Sequence, residues 1–305
     1  MKPIFAFSGQ GAQTVGMGAD LYNADPAAKA IFDEADRTLG YPLTEIIFNG
    51  PEEQLTQTKY CQVAIYTMSC ACLDAFRAAH PEVIPFAAAG LSLGEYAALY
   101  AGKSYSFANG LRLLNRRALL MDEACHAAVG TMASVLGGDP AIIREVCKDC
   151  DIDVANYNSP GQVVISGEKD KVGHAIEMLK AHGQKKVIPL TVAGAFHSRL
   201  MRTAGEGLAK VLAETALEMP KIPVYHNFTS EPAENTDAIK ENLHAQVAGS
   251  VQWCQSVQKM VERGADFMIE FGPGNVLTNL LRRTCPEIGY RNINNIETLN
   301  NFDKE

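Results

Sequence analysis

The segment Gly90-Leu91-Ser92-Leu93-Gly94 joins a short, uncharged apolar run to a run of helix formers, and it constrains the chain more than any other feature. The run before it, Ile84 to Leu91, is Ala-rich, as a buried strand can be, and the run after it, Glu95 to Tyr100, favours a helix. A serine at such a strand-to-helix junction stands on a tight elbow. Glycines two places to either side give the backbone room, and the hydroxyl lies over the N-terminus of the helix. The N–H of Leu93 then points toward any oxyanion formed there. G-x-S-x-G arises by chance in roughly one in ten chains of this length, so the context must carry the reading.

That context predicts an α/β layer. Residues 4–7 and 84–91 read as strands, and residues 27–39, 60–79, 93–101 and 107–126 as helices. From about Thr131 the rhythm changes. Residues 132–136, 152–158, 162–166 and 185–190 read as strands and residues 140–149 and 169–182 as helices, with a turn around Pro160-Gly161. The order β-α-β-β-α-β is that of the ferredoxin-like unit. It predicts a small domain inserted at 127–192, between the joints Ala127-Ala128 and Ala193-Gly194. The main domain, 1–126 and 193–305, resumes with helices near 198–215, 237–248 and 251–263. Strands near 222–228 and at 266–271 belong to it too, the second leading into Gly272-Pro273-Gly274. The polar stretch Asn292 to Glu305 reads as a loosely held tail.

Composition works by exclusion. The chain has 305 residues, 47% hydrophobic and 20% charged, which suits a soluble globular protein with a sizeable core. A formal net charge of −8 argues against general nucleic-acid affinity. No run approaches the ~20 apolar residues of a membrane span, so no membrane partner is expected. Met1 to Phe7 is too short for the apolar core of a signal peptide and reads as a first strand. Eight cysteines without an export signal point to reduced thiols and a cytoplasmic location. Cys147 and Cys150 form one C-x-x-C, but no second pair or suitably spaced histidine follows, so no metal site is expected. Cys70 and Cys72 read as core.

A serine hydroxyl is a poor nucleophile until a base takes its proton. Of seven histidines, His80, His126, His174 and His182 lie at helix ends or on polar faces, where a solvated side chain is the plain reading. His226 and His244 fit either reading. His197 stands apart, in the small apolar loop Val192-Ala193-Gly194-Ala195-Phe196-His197-Ser198 where the chain re-enters the main domain. After the first strand, Ser8-Gly9-Gln10-Gly11-Ala12-Gln13 offers bare amides, yet it is neither a phosphate-binding loop nor a dinucleotide fingerprint. On a helical wheel of 111–125, Arg117 falls amid Leu113, Leu114, Leu120, Met121, Ala124 and Cys125. A buried guanidinium needs an anion, from an internal Asp or Glu or from a ligand.

Together these motifs resemble the malonyl-CoA:acyl carrier protein transacylase family of fatty-acid synthesis. The resemblance runs over nearly the whole chain. It takes in Gly9-Gln10-Gly11-Ala12-Gln13, Gly90-Leu91-Ser92-Leu93-Gly94-Glu95-Tyr96 and Arg117. It continues through Tyr157-Asn158-Ser159-Pro160-Gly161-Gln162-Val163-Val164-Ile165, Gly194-Ala195-Phe196-His197-Ser198, Val251-Gln252-Trp253 and Gly272-Pro273-Gly274. It implies an α/β-hydrolase-like core with a ferredoxin-like insert. Ser92 would be the nucleophile, His197 its base, and Arg117 the bidentate holder of the malonyl carboxylate. The amides of Gln10 and Leu93 would form the oxyanion hole, and the main-chain carbonyl of Gln246 would orient the histidine. Phe196 would be the aromatic associated with malonyl rather than branched units. Malonyl-CoA would be the substrate and holo-acyl carrier protein the partner, with no tightly bound cofactor.

Two positions depart from the family pattern: Leu91 stands where the elbow has histidine, and Ser8 where the first loop has proline. Neither removes a group assigned to chemistry. Carrier docking on an acidic chain would need local cations, for which Lys185, Lys186, Arg199, Arg202, Arg282 and Arg283 are candidates. Three other readings share these residues. A serine esterase or thioesterase would use the same elbow, although its acid would be expected between Ser and His, where Asp139, Asp149 to Asp153 and Glu177 all fall in the insert. A non-catalytic malonyl-CoA-binding or carrier-docking module would have no need of the complete Ser92, Arg117 and His197 set. A trans-acting polyketide acyltransferase would use nearly the same chemistry.

Overall fold

The computed structural model describes residues 1–184 and 186–304. Strand β1 (Pro3–Phe7) is fully buried and lies at the centre of a five-stranded parallel sheet. Its neighbours are β2 (Ala87–Gly90) and β8 (Phe267–Phe271). The outer strands are β7 (Val224–Tyr225) beside β2 and β9 (Gly289–Ile293) beside β8, giving the order β7-β2-β1-β8-β9. Sheets of this kind are covered on both faces, which explains the unbroken apolar runs in β1, β2 and most of β8. The exception, Glu270, is buried and caps a helix: its carboxylate accepts from the N–H groups of Leu277 and Thr278 at 2.9 and 2.8 Å. The helix Thr58–Ala79 is apolar nearly all round and packs deep in the larger core cluster.

Residues 130–189 build a second, antiparallel sheet from β3 (Gly130–Leu136), β4 (Asp153–Ser159), β5 (Gln162–Glu168) and β6 (Lys186–Pro189), in the order β4-β5-β3-β6. The helices Pro140–Asp149 and Lys169–Ala181 cover one face, with Cys147 and Cys150 in that separate core. A short parallel bridge ties the two parts together: Tyr157 N–H donates to Val251 O at 2.9 Å and Val251 N–H to Ala155 O at 2.8 Å.

The elements read from sequence appear in the expected order with corrections at their edges, but the helices Ala19–Ala24, Leu43–Asn49, Glu52–Leu55 and Val276–Thr284 and strand β9 were not anticipated. The strand expected over 84–91 begins only at Ala87, because Pro85 has no N–H for the ladder, and Ile84 is 68% exposed. The strand expected near 222–228 is held to Val224–Tyr225, just after Pro223. Residues 198–215 open with a 3₁₀ turn, Arg199–Met201, before the helix Arg202–Glu214. The largest correction is the C-terminal stretch. Residues 292–304 are no loose tail: Ile293 ends β9, and the helix Ile296–Asn300 carries a capping box from Asn295 and Thr298. Phe302 stacks edge-on to Phe76 at 4.8 Å and lies 4.9 Å from His80. His80, assigned to solvent from sequence, is therefore packed between rings. No helix among the described residues is long and apolar enough to cross a membrane.

Because Phe302 is half-buried, Phe302→Ala is expected to lower unfolding stability by about 1–2 kcal/mol, less than the ~3–5 kcal/mol of a fully buried Phe. Urea denaturation checks it, and no change would mean that the C-terminal segment contributes nothing to the core.

Candidate active site

Parallel strands align their carboxyl ends, and the loops leaving β1, β2 and β7 therefore converge on one edge of the sheet. Gln10 leaves β1, Ser92 leaves β2, and His226 and Asn227 leave β7. The elbow is tight. A Cβ on Gly90 would overlap the carbonyl of Gly94, and one on Gly94 would overlap the carbonyl oxygen of Phe7. Ser92 itself sits at φ 54°, a left-handed conformation rare for side chains of its kind. Asn227 holds it there: its Oδ1 accepts from Ser92 N–H at 2.6 Å, and its Nδ2 donates to Gly90 O at 2.7 Å.

His197 comes from the loop after β6 and also has a left-handed φ, 55°. Its Nδ1 lies 2.8 Å from the main-chain carbonyl of Gln246, which can only accept. The ring proton therefore sits on Nδ1 and leaves Nε2 free. Ser92 Oγ, 2.8 Å from Nε2, donates to it. That is the geometry of a nucleophile and its base, with a backbone carbonyl in the orienting place that a carboxylate often fills. Burial, and next the nearby Arg117 guanidinium, push the His197 pKa down from 6.5 to about 4. The imidazole is thus neutral and able to take a proton over an unusually wide pH range.

Arg117 stands on the helix Phe107–Ala127, with its side chain 1% exposed. Its Nη2 donates to Ser92 Oγ at 3.0 Å and to Gln246 Oε1 at 2.8 Å, and its Nη1 donates to Gln62 Oε1 at 2.6 Å. The internal Asp or Glu that the sequence left open is absent: among the described residues no carboxylate pairs with Arg117, and Nε has no partner. The face of Tyr96 lies 5.6 Å from the guanidinium carbon. Burial lowers the guanidinium from its ordinary value, and electrostatic interaction with Tyr96 and Glu95 acts the other way. Every partner it touches is neutral.

A cavity of about 550 Å³ opens in front of Ser92 and His197. Gln10, Leu91, Ser92, Phe196 and His197 form the main-sheet side, and Met132, Asn156, Asn158 and Val164 close it from the antiparallel sheet. The N–H groups of Gln10 and Leu93 donate to no group among the described residues. Leu91, at the family's histidine position, lines the cavity, and a Cβ on Gly9 would fall 2.8 Å from its carbonyl oxygen. Ser8 is buried and donates to Pro273 O at 3.0 Å. No group of three or more His, Cys, Asp or Glu among the described residues is arranged to hold a metal ion.

Sequence reading overlooked several residues in contact with this site. Gln62 is a lone amide in an otherwise apolar helix, and that isolation was its available signal. Glu95 and His226 form a fully buried pair, 2.7 Å apart. Of the cations proposed for docking, Arg199 is engaged by Asp153 and Asp151, and Arg282 lies 6.0 Å from the ring of Tyr290. Lys185 lies outside the described residues.

The sequence model for the acyl transferase domain matches residues 4–303. A malonyl CoA-acyl carrier protein transacylase of Bacillus subtilis is 40% identical over 92% of this chain and 90% of its own length. This chain belongs to that acyl transferase family. Solved structures of the family agree. An acyl-carrier-protein S-malonyltransferase from Burkholderia pseudomallei superposes with a TM-score of 0.96 at 35% identity, over 100% of both chains. A malonyl-transacylase in complex with its type II PKS acyl-carrier protein superposes with a TM-score of 0.94 at 35% identity, covering 99% of this chain and 98% of that one.

For this acyltransferase, the lowered pKa of His197 has a direct consequence. A Ser92 nucleophile served by Nε2 would react only while that nitrogen is unprotonated, so its reaction is expected to fall as pH drops through that pKa. Labelling of Ser92 by a fluorophosphonate is expected to hold its rate well below pH 6.5 and to fall off near 4. A half-point at 6.5 or above would contradict the burial argument.

Proposed function

We propose that this chain moves malonate from malonyl-CoA to the phosphopantetheine thiol of an acyl carrier protein through a malonyl ester of Ser92. One observation carries the reading. The Arg117 guanidinium, buried and without a carboxylate, lies 3.0 Å from the nucleophilic oxygen. Its unpartnered Nε–H and its Nη2 lie on one edge of the guanidinium, the edge that a carboxylate can take bidentately. An acyl group on Ser92 with a carboxylate at its far end satisfies that edge.

In the first half-reaction Ser92 attacks the thioester carbonyl while His197 Nε2 accepts its proton. The tetrahedral oxyanion is held by the N–H groups of Gln10 and Leu93, each such donor being worth ~3–4 kcal/mol. Collapse expels coenzyme A as the thiol, with the proton returned from His197. In the second half-reaction the pantetheine thiol gives its proton to His197, the thiolate takes malonate from the seryl ester, and His197 returns the proton to the departing Ser92 Oγ. The main-chain carbonyl of Gln246 keeps the base in one tautomer throughout. Phe196 fills the wall beside His197 and limits the room for branched units. The scheme uses no cofactor. Water lacks the binding energy by which the pantetheine arm is positioned, which favours transfer over hydrolysis.

The architecture supports the same reading. The strand order β4-β5-β3-β6 suits a ferredoxin-like insert over 127–192, and the parallel sheet suits an α/β-hydrolase-like core over 1–126 and 193–305. Eight free cysteines fit a cytoplasmic enzyme. Delivery to a polyketide carrier is a second reading, favoured by the likeness to the malonyl-transacylase bound to its type II PKS carrier.

Incubation with malonyl-CoA and holo-carrier protein, followed by intact mass, is expected to show malonyl on both proteins. Ser92→Ala should lose the enzyme adduct entirely. Arg117→Ala should reduce malonyl against acetyl transfer by about 2–5 kcal/mol of selectivity, the range for a desolvated charge left unpaired. An unchanged malonyl/acetyl ratio in Arg117→Ala would remove Arg117 from carboxylate binding.

A further inference from the structure

We propose that Glu95 is the buried counter-charge of this site. Its carboxylate positions the residues that fix both nucleophile and base, and its charge stabilises the imidazolium formed on His197. The proposal rests on the Ser92–His197 mechanism above.

Glu95 lies one turn beyond Ser92, at the start of the helix Gly94–Ala101, and is 0% exposed. An acid buried there is expensive unless its oxygens are satisfied. Three donors meet it. Oε1 accepts from His226 Nδ1 at 2.7 Å, and Oε2 accepts from Asn227 N–H at 2.9 Å and Gln246 Nε2 at 2.7 Å. With the His226 proton on Nδ1, all three contacts donate to Glu95, as suits an ionised carboxylate.

Two of those contacts, Asn227 and Gln246, lead back to a reacting atom. Asn227 is the residue that pins Ser92 N–H and Gly90 O, and so holds the left-handed elbow. Gln246 orients His197 through its carbonyl, donates to Ser92 O at 3.0 Å, and accepts from Arg117 through Oε1. One amide thus joins the anion of Glu95 to the cation of Arg117. The orienting acid missing beside His197 is present, one hydrogen bond further away.

The charge has its own signature. The titratable groups facing Glu95 are His226, His197, Arg117, Tyr96 and Tyr105. Its negative charge favours the imidazolium of His197 and opposes the malonyl carboxylate at Arg117. A neutral side chain of the same shape should reverse both effects. Glu95→Gln supplies one. Its amide oxygen can accept from Gln246 and Asn227, and its NH₂ can donate to His226 Nδ1 once that ring's proton moves to Nε2, which has no partner.

The test is pre-steady-state acylation by malonyl-CoA over a range of pH, in the wild type and Glu95→Gln. The variant is expected to acylate roughly tenfold more slowly, short of the ~10²-fold or more lost with a donor touching the oxyanion. Its half-saturating malonyl-CoA concentration should fall, and the acid limb of its acylation rate should move to lower pH. A slower variant with raised half-saturation and an unmoved limb would show loosened structure alone and overturn the proposal, as would unaltered kinetics. If the variant does not fold, wild-type protein with ¹³C-labelled glutamate decides, its Glu95 carboxyl assigned with Glu95→Asp. At the pH of the acylation assay a carboxylate signal is expected, as its three donors require, and a carboxylic acid signal overturns the proposal. A wild-type enzyme that forms no malonyl-Ser92 would instead sink the functional reading.

Discussion

A guanidinium shut away from water with only neutral acceptors is the constraint from which the rest of this structure follows. Isolated burial of such a charge is strongly unfavourable, and breaking a buried pair by removing one partner costs about 3–5 kcal/mol. Arg117 is held in that position by Gln62, Gln246 and the Ser92 hydroxyl. The arrangement is tolerable because amide dipoles solvate the cation without neutralising it. A side chain kept charged and unpaired beside a serine hydroxyl is poised for a diacid, since the second carboxylate completes a pair that the fold leaves open.

The same cation lowers the pKa of His197, so on the proposed mechanism specificity and base strength are coupled. A carboxylate arriving at Arg117 cancels the field that depresses the imidazole. The base is therefore strengthened when an acyl group of the right charge is present. Gln246 is central to this coupling, because its carbonyl, its amide oxygen and its amide nitrogen reach His197, Arg117 and Glu95 in turn.

Much of the site was legible in sequence because its parts are local. The elbow is five consecutive residues, and its glycines are needed for contacts that no Cβ could share. Arg117 betrayed itself through helical period, being a charge on an apolar stripe. The order of strands and helices was legible for the same reason: 3.6- and 2-residue patterns are short-range. Partnerships across the fold were not. That Asn227 holds Ser92, or that Glu95 meets His226 more than a hundred residues away, follows from sheet order, which no local pattern encodes. The C-terminal stretch misled for a related reason. Its polar composition resembles a tail, yet Ile293, Leu299 and Phe302 are enough to anchor it against the core.

Sheet order also bears on how the chain is made. β1 is synthesised well before its partner β8, which pairs Phe267 with Pro3, so one flank of the central strand stays open until β8 has been made. The antiparallel sheet closes within residues 130–189 and can form early from near neighbours. During synthesis the ribosome therefore carries a finished outer lobe beside an apolar strand still waiting for its mate, a state in which chaperones would find β1 exposed.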